Sequence, residues 1–506
     1  MNTAKASLNT EKAWNTIDAS TSLSINWAKV QRKVLKLQKR IFQAVQAGQK
    51  AKARKLQKLL LKSHYAKLLA VRKVIQDSKV KNSPVHQKKV IFNAQLIRLA
   101  RSLNVQGYKP KALKPVKSTR SKQPPWGVFG VRDRAMQILV KFALEPHWDA
   151  QFEKESYGFR PDKSIHDAID KIFQGIIRIP KYALNGKIVK GCDKRHHAYL
   201  LSQLDCPKTL KTTIKRWLKV GIMDNSVFHP TGTITAHTEI LSPLLVNITL
   251  DGMITDIRDS FPNDVSLEKT TEEIARPMII RYANDFLVFH QHQAVVVQCQ
   301  KLMTQWLDKI GLQLQPETTR ICHTLYDLEI DGELQRPGFD FLGFNIRQYS
   351  TGKHHGRQDS LDSGLQYRTS IKPTQQSIKA HYQALSAVIN QYKYAPQREL
   401  IRQLNPMIHQ WSRYYGKVSP RDVFSKLDHM IGNKLRAWIK TRTGATGKKQ
   451  MSLYFREGIN GQTTFQTKEG LYLVPHGKVR PKIDFLKPKS NHCTDNKGLI
   501  TESRVQ

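Results

Sequence analysis

The chain has 506 residues, with 83 Lys plus Arg against 40 Asp plus Glu, a formal net charge of +43. A surface so short of acids repels itself unless it meets a polyanion, so nucleic acid is the first expectation and an anionic membrane the second. Hydrophobic residues at 40%, with 8 Trp, 16 Tyr and 18 Phe, exclude a wholly disordered basic tail, and 5 scattered Cys exclude a secreted disulfide scaffold.

Met1 to Thr21 is polar, carries Glu11 and Asp18, and has no apolar signal core. No stretch reaches the ~18 to 20 apolar residues of a spanning helix, so a soluble protein without membrane partners is expected. Ile25 to Val80 reads as helix. Val30, Val34, Leu37, Ile41 and Val45 form one apolar stripe, opposite Lys29, Arg32, Lys33, Lys36, Lys39 and Arg40. Gly48 breaks this helix. A second begins near Ala51, with Leu56, Leu59, Leu60, Leu68, Leu69 and Val71 as its core. Between Ala28 and Val80 the only acid is Asp77. Solvated helices usually mix signs to gain i,i+4 pairs, so this face is expected to bind phosphates.

Residues 81 to 125 read as polar and Pro-punctuated, with an extended basic loop from Tyr108 to Pro125. A short strand over Gly127 to Val131 precedes a helix from Arg132 to Trp148. Residues 182 to 350 alternate short strands and amphipathic helices, the clearest being Leu210 to Val220 and Leu241 to Leu250. Met278 to Tyr282 and Phe286 to His290, flanking Ala283-Asn284-Asp285, predict a β-hairpin. A Gly-, Ser- and His-rich stretch to Gly364 predicts a linker. Residues 371 to 440 return to helix, with Ile401, Leu404, Ile408, Trp411 and Tyr415 on one face.

No CxxC occurs, and His492 with Cys493 has no second pair at zinc-finger spacing. Adjacent His196 and His197 point in different directions on a helix. Cys192, Cys206, Cys299 and Cys322 fit as small apolar fillers. The informative motif is Tyr282-Ala283-Asn284-Asp285-Phe286. On spacing alone it is an everyday hairpin turn; alternatively, a polymerase palm presents carboxylates to paired metal ions on such a turn.

The flanking residues favour the second reading. Arg281-Tyr282-Ala283-Asn284-Asp285-Phe286 resembles the RYADDF of reverse transcriptase-maturase proteins encoded within group II introns. Ser156-Tyr157-Gly158-Phe159-Arg160-Pro161 matches that family's SYGFRP, and Arg132-Asp133-Arg134-Ala135-Met136-Gln137 resembles its DRA-x-Q helix. Leu241-Ser242-Pro243-Leu244-Leu245 with Asn247-Ile248 resembles SPLL-x-N-I. Phe339 to Phe344 matches the strand closing the reverse transcriptase region. Leu404-Asn405-Pro406 with Trp411 and Tyr414-Tyr415 resembles the maturase region. Ile25-Asn26-Trp27 and Leu37 to Ile41, with Ala66 to Arg72, resemble the N-terminal helices of the organellar and cyanobacterial branch. The order of these motifs is the family's own.

The resemblance implies an α/β (α+β) right-hand polymerase-like fold. It divides the chain into a basic helical N-terminal extension (1–80), fingers and palm (81–350), a linker (351–370), a thumb and maturase region (371–460) and a basic C-terminal extension (461–506). It also exposes departures. Asn284 stands where active members carry a magnesium-binding Asp, and an amide is a weaker ligand for a hard cation. In the run from Lys187 to Asp193, Lys187 falls on the other metal-binding Asp; the alternative alignment puts Ile188 there. Ile234 to Glu239 replaces the family's GTPQGG. Asp285 and Asp193 remain. Beyond Val474 neither the paired-Cys framework nor the His-Asn-His pattern of the family's endonuclease is found.

The expected function is therefore a maturase that binds group II intron RNA and assists its splicing without polymerising. No cofactor of its own is expected, and Mg2+ would be required by the intron RNA. A residual reverse transcriptase using Asp193 and Asp285, and a nonspecific basic RNA chaperone, are the alternatives. Expected RNA contacts are Lys29, Arg32, Lys33, Lys36 and Arg40; Arg132, Arg134, Arg160 and Lys163; and Arg402, Lys417, Arg421, Lys434 and Arg436. Arg132, Arg134, Arg160 and Lys163 fit equally well as structural partners of Asp133, Asp149 or Asp167. Tyr414 and Tyr415 could stack bases or lie in the core, whereas Trp411 fits the core. A plastid location is expected, with mitochondrion or bacterial cytoplasm as alternatives, and a homodimer is left open.

Overall fold

A computed structural model describes residues 25–77, 89–111, 114–116, 126–189, 194–220, 222–224, 227–229, 240–261, 276–330, 332–350, 367–418, 421–444, 447–457 and 463–479. The chain divides into two compact units. One holds Met1–Phe341 and Arg347–Thr369, the other Leu342–Ile346 and Ser370–Gln506.

The first unit begins with α1 (Trp27–Gln46), α2 (Lys50–Lys62), α3 (His64–Asp77), α4 (Lys89–Ser102) and α5 (Val131–Asp149). Asn26 caps α1, its side chain accepting from Lys29 N–H. Val30, Val34, Ile41 and Ala44 are buried, so the apolar stripe faces inward as its period requires. Gly48, at φ +68°, ends α1 in a conformation that favours glycine. The helix expected from Ala51 onward is two helices, broken at Ser63. Leu59, expected in the core, is 41% exposed. The stretch after residue 80, read as polar and Pro-punctuated, contains α4, which buries Leu96 and Ala100, with Leu103 just beyond it.

A continuous core joins α1–α5 to Leu210, Ile214 and Trp217 of the helix Lys208–Leu218 and to Leu244 and Ile248 of the helix Ser242–Thr249. Packing thus continues across the expected boundary at residue 80. Polar struts fix it: half-buried Gln38 and buried Gln57 donate to the carbonyls of Phe142 and Ala143. Tyr108, expected in an extended basic loop, is core instead. Its hydroxyl bonds to buried Asp133 and accepts from Trp217 Nε1–H at 3.1 Å.

The palm sheet comprises β1 (Ser156–Tyr157), β2 (Tyr182–Val189), β3 (Met278–Tyr282), β4 (Asp285–His290), β5 (Gln313–Leu314) and β6 (Arg320–His323). Its order is β6-β2-β4-β3-β1, with β5 pairing β2. Only β1–β3 is parallel among these pairings. One face packs on α6 (Gln293–Lys309) through Val296, Cys299, Met303 and Leu307.

The chain passes between units after Phe341 and again within the strands Phe344–Ser350 and Tyr367–Pro373. Of the expected 351–370 linker, residues 351–366 lie outside the described residues and the remainder is strand. The second unit contains α7 (Gln375–Gln391), α8 (Gln397–Tyr415) and α9 (Arg421–Thr443) around Leu385, Leu400, Leu404, Ile431, Leu435 and Trp438. Phe465 and His476 are buried, so residues 463–479 belong to this unit's packing rather than to a separate extension. No described helix is long and apolar enough to cross a membrane.

Candidate functional site: the palm hairpin

The expected hairpin is present. Arg281 pairs with Phe286 and Tyr282 with Asp285, leaving Ala283 and Asn284 as the turn. Ala283 takes φ +56°, where glycine is preferred, and its N–H donates to Tyr157 C=O at 3.2 Å. Arg281 holds the turn from behind. Its fully buried guanidinium donates to Ser156 Oγ at 2.6 Å, Asn247 Oδ1 at 3.0 Å and Ala283 C=O at 3.0 Å. Burial lowers its pKa to about 10, with Glu153 and Asp251 opposing that shift, so it remains charged. Asn247 also donates to Gly158 C=O at 2.9 Å. Three motifs far apart in sequence thus meet behind one two-residue turn.

In front of the turn, β2 runs antiparallel to β4 and sets Lys187 directly opposite Asp285. Lys187 Nζ lies 3.8 Å from Asp285 Oδ1, with both side chains partly exposed. Burial pushes the Asp285 carboxyl above the ordinary carboxylate range, and the Lys187 ammonium pulls it back. Ile188 N–H donates to Asn284 C=O at 2.8 Å, which fixes this register beside the turn. Paired divalent ions need several converging carboxylate oxygens. Among the described residues, one carboxylate faces an ammonium beside a neutral amide, and that donor set does not fit such ions. Among the described residues, no three His, Cys, Asp or Glu side chains converge as a metal site. Asp193 and the stretch from Ile234 to Glu239 lie outside the described residues.

The expected RNA contacts separate into two groups. Lys29, Arg32, Lys33, Lys36 and Arg40 are exposed along α1, which contains no acid. Arg402, Arg421 and Arg436 are exposed in the second unit, and Lys417 and Lys434 are half-buried. Lys434 lines a cleft of about 400 Å³ with Lys393, Asn390 and Thr441.

Arg160 is a correction. Its side chain is 7% exposed and bonds Asp149 Oδ1 at 2.7 Å, together with the carbonyls of Asp149, Glu153 and Ser156. It is a strut, unable to reach RNA without breaking four bonds. Lys163 is half-buried, reaches Lys154 C=O at 3.2 Å, and lies over the Tyr157 ring. Arg132 lies over the Tyr108 ring and donates to Ser102 C=O at 3.4 Å, and Arg134 is half-buried. Asp133 bonds Tyr108, and Asp167 caps the helix after Ser164. Of the three acids considered, Asp149 takes Arg160 as its ion partner. The tyrosines are also corrected. Tyr415 is buried; Tyr414 stacks on Phe344 at 5.4 Å and donates to Leu342 C=O. Tyr415 therefore offers no face to a base, and half-buried Tyr414 gives one of its faces to Phe344.

The sequence reading missed Arg281, Asn247 and Ser156 as one network. An Arg inside an otherwise apolar strand was the available signal, because burial of a lone cation demands acceptors.

A mixed sheet with an Asn-Asp hairpin turn, helices packed on it and a second helical unit after it define a polymerase-type hand. Three family models match in order: an N-terminal domain of reverse transcriptase over residues 23–103, a reverse transcriptase (RNA-dependent DNA polymerase) over 112–346, and a group II intron maturase-specific domain over 378–455. The chain belongs to the group II intron reverse transcriptase-maturase family. It is 30% identical to maturase-like protein 1 of Euglena gracilis over 237 residues, 45% of this chain and 50% of that protein. It is 31% identical to the group II intron-encoded protein LtrA of Lactococcus lactis subsp. cremoris over 189 residues, 35% of this chain and 31% of that protein. Protein YkfC of Escherichia coli K12 is 24% identical over 261 residues, 46% and 65% of the two chains. The chain thus spans less than two thirds of the length of each.

Proposed function

We propose that this protein is an RNA-binding maturase that stabilises the active fold of a group II intron, and that its palm does not polymerise DNA. The observation supporting the second half is the Lys187–Asp285 pair: an ammonium stands 3.8 Å from the carboxylate of the turn. Two dications brought to that place would meet a fixed positive charge. The first half draws on the acid-free exposed face of α1 and on the maturase-specific domain. Splicing of this kind needs no protein nucleophile. Cations that neutralise phosphates let RNA helices approach closely, and Mg2+ is needed by the RNA itself.

The test has two arms. Primer extension with purified protein and Mg2+ should give no template-dependent DNA, and DNA synthesis would overturn the second half. Splicing of the host intron at low Mg2+ should accelerate with stoichiometric protein. Equal affinity and salt slope for intron and unrelated RNA would instead indicate a nonspecific chaperone. We further propose an organelle, a plastid first, from the likeness of residues 25–72 to the organellar and cyanobacterial branch. Intron domains flanking the gene in a plastid genome would support that location, and a bacterial chromosome would overturn it.

A further inference from the structure

Phe159 is out of place for a structural residue. It takes φ +55°, a conformation that bulky L residues rarely adopt, yet its side chain is 54% exposed. Buried packing is therefore not what holds it there. The backbone around it explains how it is held. Gly158, at φ +84°, lies so close to the palm turn that a Cβ would sit 3.0 Å from both Ala283 N and the Tyr282 ring. Its carbonyl is bonded by Asn247. These contacts hold the chain in a left-handed bend that turns the following ring outward. Strain that the surroundings enforce, and that displays a side chain instead of burying it, points to a contact with something else.

The neighbourhood identifies the chemistry. Tyr282 stands 6.5 Å from Phe159, ring centre to ring centre, with a tilt of 48°. Register pairs then run across the sheet from Tyr157 to Tyr282, to Asp285, and to Lys187. Lys163 lies over the Tyr157 ring at 5.0 Å. The exposed Phe159 ring backed by Tyr282, with Lys163 and the partly exposed Lys187 reached through these contacts, matches a nucleic-acid strand, in which flat bases alternate with phosphates; Asp285, beside Lys187, is the anion of the row, and Tyr157 is buried beneath it. A protein partner would call for a contiguous apolar patch, and β3 and β4 contribute no large exposed apolar residue. Duplex RNA keeps its bases stacked internally, whereas an unpaired base offers a free face.

We propose that Phe159, backed by Tyr282, is a stacking platform for an unpaired base of the bound RNA, with Lys187 and Lys163 placed for its flanking phosphates. This inference rests on the RNA-binding reading above. It gives the palm a binding task that needs no metal ion.

Phe159→Gly separates stacking from folding, because glycine accepts φ +55° without strain. Binding would be read by fluorescence anisotropy against a single-stranded oligoribonucleotide and a duplex of equal length, across several salt concentrations. Removing one base-stacking ring should weaken single-strand binding roughly 5- to 150-fold, leaving the salt slope and the duplex affinity unchanged. The midpoint of thermal unfolding should stay level or rise, and Phe159→Trp should retain wild-type affinity. Unchanged single-strand binding in Phe159→Gly, an equal loss on duplex, or failure of Phe159→Trp would each overturn the platform. Wild-type protein that binds neither RNA would overturn the RNA-binding reading itself.

Discussion

Arg160 and Lys163 are three residues apart in one motif and meet different fates. Arg160 ends in a nearly closed cage of Asp149 and three carbonyls, while Lys163 remains at the surface. Arg160→Ala should cost about 3–5 kcal/mol, because it strands Asp149 as well as removing the bonds. Lys163→Ala should change stability by less than about 0.5 kcal/mol. Urea midpoints at constant m-value would measure both. Gly158→Ala combines a positive φ with a 3.0 Å approach to the Ala283 backbone, so it should destabilise by about 1–3 kcal/mol. The Lys187–Asp285 pair is partly exposed and worth no more than about 0.5 kcal/mol to the fold. Its importance is electrostatic. Replacing both metal-site departures, Lys187→Asp with Asn284→Asp, should produce saturable Mn2+ binding absent from the wild-type protein, followed by electron paramagnetic resonance. A double variant that still binds no Mn2+ would show that other parts of the palm have changed as well.

At the scale of elements, the second unit contains its own pH sensitivity. His381 on α7 stacks on Trp411 of α8 at 4.7 Å and lies 3.0 Å from His476, Nε2 to Nε2. His476 in turn bonds Asp428 of α9 through Nδ1. Burial, then the neighbouring His476, lowers the His381 pKa to about 3. A histidine whose folded pKa lies below its unfolded value near 6.5 is held neutral by folding. It therefore costs no stability above that value, and stability falls as pH drops through 6.5 toward 3. Trp fluorescence melts at pH 7.5, 5.5 and 4.5 should show this loss. His381→Phe should be slightly less stable at pH 7.5, for want of the His476 bond, but its midpoint should fall less steeply with acid. Equal slopes would shift the cause to another group, such as buried His64, lowered to about 4.

This cluster was not legible in sequence, because His381 and His476 are joined only by tertiary packing. The same limit explains Tyr414, whose helical spacing could not reveal Phe344 as its partner. The palm hairpin was legible because two apolar runs flank a short polar break, and α1 because its stripe has helical period. Helix α4 was missed although Leu96, Ala100 and Leu103 keep helical steps, since the stretch around it reads as polar and Pro-punctuated. Local pattern reports periodicity and turns, whereas roles set by distant partners need the fold.

Over the whole molecule, the charge of +43 is unevenly spread. Helices α1, α2 and α4 contain no acid, and α3 contains only Asp77. In the palm, by contrast, Arg281 and Arg160 are buried struts, and Lys187 shares its charge with Asp285 while remaining partly exposed. The mobile counter-ions that RNA would release should therefore be exchanged mainly at α1 and in the second unit. If Lys29, Lys33 and Lys36 each contact a phosphate, changing all three to Glu should flatten the slope of log K against log salt by about 2–3. The affinity loss should be large near 50 mM salt and smaller above 200 mM, where screening has already removed much of the attraction. All three side chains are exposed, so circular dichroism should show the helix retained. Changing Arg402, Lys434 and Arg436 in the second unit tests additivity. If the two sets of contacts are independent, the six-residue variant should lose the sum of the two slope changes. A slope unchanged by the α1 substitutions would transfer phosphate binding away from that helix, and its lack of acids would then reflect solubility alone.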